Sequence, residues 1–197
     1  MLKVLLLDAD GVLITGGMFS AHLEREYGIP KERTLPFFMG PFKECILGNA
    51  DLKEVLAPHL AEWRWDKGVD AMLKFWFEAE HVINEPLVAY VQTLRKQGIR
   101  CYVATNQERH RAAYLLNEMG FSTSFDGLFA SAHLGHKKPD KAFYAKVMES
   151  LPDVKKEEVL FWDDSKENVD AAKEFGMQAE VYRSFEDFKE KMEHHHS

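Results

Sequence analysis

The chain has 197 residues, 46% of them hydrophobic and 29% charged, and a formal net charge of -7. That length suits one ordinary domain, or a core with a modest insertion, and it is enough to bury a sizeable apolar core. The acidic balance and the lack of any long basic run exclude the electrostatic footprint of a nucleic-acid binder, and no stretch approaches the ~20 apolar residues of a membrane span.

Residues 4–7 form a short apolar run, suited to a buried strand, that Asp8 interrupts before it reaches the length of a signal-peptide core. Asp8 and Asp10 follow this strand. The stretch 15–85 holds no convincing strand and is rich in aromatic residues at helical spacing, Val69, Met72, Leu73 and Trp76 making one face. An all-helical insertion after the first strand is the simplest account. Within it Trp63 and Trp65 are expected to supply the core of a small helical module, whereas Phe37, Phe38, Met39 and Phe42 make a better case for lining a pocket. Pro86 suits the first turn of a helix whose inward face is Leu87, Val91 and Leu94, with Gly98 just past its end.

A strand at 100–104 delivers Thr105 and Asn106, and Leu115, Leu116 and Met119 form a helical face that Gly120 stops. A weaker strand at 128–132 leads into a polar loop carrying His133 and His136, read as solvated rather than as a metal pair, and then to Lys138. Residues 155–158 read as a solvated connection to a strand at 159–162, which delivers Asp163 and Asp164. Val169, Ala172 and Phe175 face inward on the next helix, Gly176 ends it, and a last strand covers 179–182. His194, His195 and His196 resemble the remnant of an affinity tag, so residues 194–197 stand outside the metal-site reasoning. Cys45 and Cys101 each sit in an apolar pattern and read as buried thiols, which with the other features points to a reducing cytoplasm.

Strands alternating with helices imply βαβ units, hence an α/β fold: a Rossmann-like parallel sheet covered by helices on both faces, with a small helical cap inserted after the first strand. The expected division is a catalytic core of 1–14 and 86–193 and a cap of 15–85. In parallel sheets ligands bind beyond the carboxyl ends of the strands, so the groups after three of the strands converge on one mouth. Four carboxylates gathered there repel one another unless a hard cation offsets them, and Mg²⁺ typically takes one or two carboxylates together with phosphate oxygens. Thr105, Asn106 and Lys138 supply donors and a positive charge for that phosphate.

The segments Asp8-Ala9-Asp10-Gly11-Val12-Leu13, Thr105-Asn106, Lys138-Pro139-Asp140, and Asp163-Asp164-Ser165 with Asn168-Val169 and Ala171-Ala172 resemble, in that order, the four motifs of the haloacid dehalogenase-like hydrolase superfamily. The insertion is similar to the helical cap of the subgroup holding sugar-phosphate phosphatases, the phosphatase domain of soluble epoxide hydrolase and haloacid dehalogenases. Val12 stands where many relatives have threonine, and Lys141 where many have proline; neither position is asked to do chemistry.

The resemblance implies a Mg²⁺-dependent phosphatase acting through an aspartyl-phosphate. Asp8 is the implied nucleophile and Asp10 the acid and base. Asp8, the backbone carbonyl of Asp10 and Asp164 are the implied metal ligands, with Asp163 a further or supporting one, and Thr105, Asn106 and Lys138 bind the phosphoryl group. The expected partner is a small phosphorylated metabolite, a sugar phosphate being favoured by cap type, with neither nucleic acid nor membrane. Two alternatives remain at this point: a phosphomutase, and a haloacid dehalogenase, for which Asp10 and the pair Asp163 and Asp164 would be superfluous.

Overall fold

The structure is a computed structural model that describes residues 2–196, with the side chains of His194 and His196 left aside. Five parallel strands form one sheet in the order β3-β2-β1-β4-β5: β1 (Val4–Leu7), β2 (Arg100–Thr105), β3 (Gly127–Ala130), β4 (Val159–Asp163) and β5 (Gln178–Val181). β1 is central and buried throughout, as expected for a strand covered on both faces. Its alternating side chains feed two different cores. Leu5 and Leu7 join Leu87, Val91, Leu94 and Phe188 on one face, while Val4 and Leu6 join Phe143, Tyr144, Val147 and Ala172 on the other.

After β1 the chain leaves the sheet for five helices, α1 (Phe19–Tyr27), α2 (Lys31–Met39), α3 (Phe42–Ile46), α4 (Leu52–Leu56) and α5 (Val69–Ala79). They enclose a core of their own in which Phe19, Leu23, Phe37, Trp63 and Met72 are buried. The fold is thus an α/β sheet with a small helical cap inserted after its first strand. Trp63 and Trp65 are both buried in that cap, and the indole of Trp65 donates to the Gly68 carbonyl at 2.9 Å. The four residues expected to line a pocket divide: Phe37 is buried, Phe42 packs partly buried against the cap core, Phe38 borders a cavity and Met39 is exposed.

The return to the sheet runs through α6 (Glu85–Lys96), β2, α7 (Arg109–Asn117), α8 (Phe121–Ser124), β3, α9 (Ser131–Leu134), α10 (Lys141–Glu149), β4, α11 (Lys166–Phe175), β5 and α12 (Phe185–His196). Small differences from the sequence expectation have local causes. β3 starts one residue early, at Gly127, and yields at Ser131 to α9, so His133 lies, exposed, on a short helix rather than in a loop. β5 ends at Val181, although Tyr182 N still donates to the Asp163 carbonyl at 2.9 Å. Cys45 and Cys101 are buried free thiols. Among the described residues no helix is long and apolar enough to cross a membrane. Of the suspected tag remnant, Ser197 lies outside the described residues, and the backbone before it continues α12 to His196.

Entry to and exit from the cap run side by side. Thr15 N donates to the Val82 carbonyl at 2.8 Å, Asn84 N donates to the Leu13 carbonyl at 2.9 Å, and Ile14 bridges Ile83 in antiparallel fashion. Gly16 makes the crossing possible, since a Cβ there would lie 2.6 Å from the Glu80 carbonyl oxygen. The Asn84 amide then donates both to the Val12 carbonyl at 3.0 Å and to the Tyr182 hydroxyl at 2.8 Å, tying the crossing to the loop after β1 and to the sheet. Removing it leaves the Val12 carbonyl, in a fully buried residue, without this donor. We expect Asn84→Ala to lower the unfolding free energy by ~1–3 kcal/mol in a urea titration, the range for an orphaned buried polar group; a loss below ~0.5 kcal/mol would show that the crossing is held by other contacts.

Candidate active site

The sheet order places β1 at a topological switch: the chain moves from β1 to β2 and β3 on one side and then to β4 and β5 on the other. Ligand sites of open α/β sheets lie at the carboxyl ends of strands at such a point. The register brings the groups there to one level. Leu7 pairs with Val103 on one side and with Trp162 on the other, so Asp8, Ala104 and Asp163 occupy the next rung.

A single buried ammonium joins all three. Lys138, only 2% exposed, places Nζ 2.8 Å from Asp8 Oδ1, 2.6 Å from Asp163 Oδ2 and 2.8 Å from the Ala104 carbonyl oxygen. An ammonium has three protons, so its donor capacity is filled. The neighbouring Asn106 fixes the lysine backbone reciprocally, its amide donating to the Lys138 carbonyl at 2.9 Å and its oxygen accepting from Lys138 N at 2.8 Å. The side chain of Asn106 is therefore committed to Lys138. Thr105, at the end of β2, is buried beside them.

Asp163 has no exposure and no free oxygen. Oδ1 accepts from Ser165 N at 2.8 Å and from the Asn168 amide at 3.0 Å, and Oδ2 accepts from Lys138. Asp164 faces solvent instead. Its closest constraint is Gly11, which has φ +78 and whose Cβ, were there one, would lie 2.2 Å from Asp164 Oδ2. Only glycine answers both the left-handed backbone and the close approach.

Asp8 Oδ1 also accepts from Ala9 N at 2.7 Å, which leaves Oδ2 without a hydrogen-bond donor among the described residues. Burial pushes the Asp8 carboxyl up to about 7; Lys138 opposes the rise, while Asp163 and Asp10 add repulsion. Asp164 is also raised, by desolvation and then by Asp163. One oxygen from each of Asp8, Asp163 and Asp164 can lie within 4.8 Å of the others. Three carboxylates against one ammonium leave an excess of negative charge, and all the donors are hard oxygens, so this group fits a small divalent cation.

Asp10 stands apart from this cluster. Its carboxylate accepts from the Gln107 amide, Nε2 to Oδ2 at 2.5 Å, and its tip remains open to solvent in the cleft below the cap. Desolvation by the surrounding protein raises its pKa, with Arg111, Lys138 and the Gln107 bond pulling the other way. Arg111 is itself only 2% exposed; from α7 it donates to the Phe77 carbonyl at 3.0 Å and meets Glu80 Oε2 at 3.4 Å. Gln107, Arg111 and Asn168 were not singled out for a role by sequence reasoning. Gln107 directly follows the Thr105-Asn106 motif and Asn168 belongs to the fourth motif, whereas nothing local distinguishes Arg111 from Arg109 two positions before it on the same helix.

The structure thus brings Asp8, Asp163, Asp164 and Lys138 together, sets Asp10 beside them, and puts Thr105 and Asn106 behind the lysine. His133 and His136 are not part of this group; His136 lies 3.8 Å from the exposed Asp140.

Comparison with known proteins follows the same lines. The HAD family enzyme bt-2542 from Bacteroides thetaiotaomicron superposes with a TM-score of 0.81 at 19% identity, over 97% of this chain and 98% of that one. That protein has also been crystallised with magnesium and inorganic phosphate. The sesquiterpene phosphatase astK of Aspergillus oryzae is 38% identical over 95 residues, 46% of this chain and 46% of that protein. Bifunctional epoxide hydrolase 2 of Rattus norvegicus is 26% identical over 200 residues, 89% of this chain and 35% of that protein. The chain therefore spans less than half the length of these curated relatives. A family model described as haloacid dehalogenase-like hydrolase matches residues 2–176, which takes in every motif and the whole cap, and on that match the chain belongs to the haloacid dehalogenase-like hydrolase family.

Proposed function

We propose that the chain is a Mg²⁺-dependent phosphatase that hydrolyses a small-molecule phosphomonoester through an aspartyl-phosphate on Asp8. The observation that carries this reading is the position of Asp8: at the sheet mouth, with one oxygen on a buried ammonium and the other facing a cluster of carboxylates. Relatives named as phosphatases support it, as does the magnesium and phosphate complex of bt-2542. The cap type favours a sugar phosphate as the first substrate class to test. The cytoplasm is the proposed compartment.

In this reading Asp8, the backbone carbonyl of Asp10 and Asp164 hold the metal, and Asp163, whose oxygens already accept from Lys138, Asn168 and Ser165, stands behind them. Bound magnesium supplies positive charge that offsets the carboxylates and polarises the phosphoryl oxygens. Thr105 donates to the phosphoryl group, Lys138, whose three protons already have acceptors, contributes its positive charge there, and Asn106 fixes the lysine. Asp8 attacks phosphorus while the bond to the leaving alcohol breaks, and Asp10 gives its proton to the departing oxygen. Water then attacks phosphorus of the aspartyl-phosphate, Asp10 takes a proton from that water, and Asp8 departs as a carboxylate with release of inorganic phosphate. Residues 15–85 serve as the cap that closes over the leaving group, and 1–14 with 86–193 serve as the catalytic core.

Gln107 fits this scheme as a positioning residue, since its amide fixes one oxygen of Asp10. A carboxyl that must carry a proton in one half-reaction and lack it in the next works best with a pKa near the working pH. The upward shift of Asp10 is in the required direction.

Leaving-group dependence tests this assignment. Asp10→Asn should lower kcat on a sugar phosphate by ~10²-fold or more, the usual contribution of a general acid, and lower it far less on nitrophenyl phosphate, whose leaving group departs with little protonation. Equal losses on both esters would mean that Asp10 acts through the structure of the site. Addition of a chelator should stop hydrolysis of both esters, and Mg²⁺ should restore it; full turnover in excess chelator would remove the metal from the account.

Asp8 also carries a pH signature that needs no substrate. Its folded pKa, about 7, lies above the ordinary aspartate value of about 4, so its protonated form stabilises the fold below about pH 4 and that contribution is lost as pH rises through about 7. In metal-free protein the stability of the wild type relative to Asp8→Asn should accordingly fall between about pH 4 and pH 7 and level off above. Urea unfolding of both proteins across that range measures it, and a flat difference would contradict the upward shift of the buried Asp8 carboxyl.

A further inference from the structure

The cleft below the cap contains two adjoining cavities. One, bordered by Asp8, Gly11, Ile14 and Asp164, is the mouth already described. The other, of about 250 Å³, lies between α1, α2 and α5. Asp10, Gly17 and Met18 border both, so the second cavity opens beside Asp10 on the side away from the metal-binding carboxylates.

Its walls are apolar: Met18, Phe19, Leu35, Phe38 and Trp76. Met18 and Leu35 are 63% and 44% exposed, large apolar side chains that stay in water at the cavity mouth rather than in the cap core. Asp10, Ser20, Lys31, Thr34 and Glu80 also border it, and Glu80 and Thr34 are already engaged. Glu80 Oε1 accepts from Phe19 N at 2.8 Å and Oε2 faces Arg111, while the Thr34 hydroxyl donates to the Lys31 carbonyl at 3.0 Å. A polyhydroxylated body entering here would give up its hydrogen bonds to water and find few in exchange.

We infer that this cavity takes the leaving group, and that the leaving group is a compact apolar alcohol, aryl or branched alkyl, in place of the sugar that cap type alone favours. The inference rests on the phosphatase reading above, in which the departing oxygen lies next to Asp10. At ~30 Å³ per water in the liquid, the cavity holds the equivalent of roughly eight waters, the size of a substituted phenyl ring or a branched chain of similar bulk. When the bond to phosphorus breaks, the proton of Asp10 passes to the ester oxygen and the neutral alcohol is left against Phe38 and Trp76.

The test compares esters of primary alcohols, so that leaving-group basicity is held nearly constant: phenethyl phosphate and isopentyl phosphate against glycerol phosphate and a hexose phosphate esterified at its primary hydroxyl. We expect kcat/KM to favour the apolar pair by about tenfold or more, a conservative share of what burying such a body contributes. Leu35→Asn, at an exposed position where folding is not at stake, should cut that preference several-fold. Equal or better turnover of the glycerol or hexose ester overturns the substrate class while leaving the phosphatase reading intact, and so does a preference that Leu35→Asn leaves unchanged. Should none of the esters be hydrolysed, the phosphatase reading fails instead. Calorimetric titration with the phosphonate analogues of phenethyl and glycerol phosphate then still reads the cavity: tighter binding of the phenethyl analogue supports its apolar character, and equal affinity overturns it.

Discussion

A positive charge buried at the end of the sheet is the constraint around which the site is arranged. Lys138 has almost no exposure and three acceptors, one on each of the strands or strand ends that meet there. An ammonium in such a place is tolerable only if its partners are fixed, because breaking a buried pair typically costs ~3–5 kcal/mol. Each partner is fixed in turn: Asp163 by Ser165 and Asn168, Asp8 by Ala9 N, and the lysine backbone by Asn106. The result is a carboxylate at position 8 that is held in place and only half neutralised. A nucleophile needs both properties, and the remaining negative charge is what a divalent cation answers.

The cap contributes a second, separate environment. Its entry and exit segments cross at Gly16 and Glu80, close to Asp10, and Arg111 ties the core helix α7 to the last turn of α5. Asp10 consequently belongs to the boundary between sheet and cap, with Gln107 from the core on one side and apolar cap residues on the other. Asp8 and Asp10 are two residues apart in sequence, yet one faces an ammonium and a carboxylate cluster while the other faces a cleft of mixed polarity. Two carboxyls with different surroundings can hold different protonation states, which is the usual basis for dividing nucleophile from acid.

The inner strands were legible because they are short, apolar and largely buried, while the half-buried edge strands β3 and β5 gave a weaker signal, and Pro86, Gly98, Gly120 and Gly176 punctuate the helices. The carboxyl-end residues were legible because a parallel sheet converts three separated positions into one rung. What sequence spacing could not carry was contact across elements. Nothing in the order of residues says that Asn106 faces the backbone of Lys138 rather than a ligand, that Gln107 reaches Asp10, or that Arg111 bridges to Phe77 and Glu80. In the cap, aromatic residues at helical spacing gave a helix and a hydrophobic face, but Phe37 and its neighbour Phe38 differ in role by the rotation of one residue around α2: one fills the core and the other borders the cavity.

The central claim is that Asp8 becomes covalently phosphorylated. Rapid acid quench of the Mg²⁺-loaded enzyme with radiolabelled phosphomonoester, followed by peptide mapping, tests it most directly. The account predicts an acid-stable, base-labile label confined to the peptide that contains Asp8, appearing no later than the free alcohol and absent in Asp8→Asn. Turnover at full rate with no label on that peptide at any time, or label retained in Asp8→Asn, would contradict it.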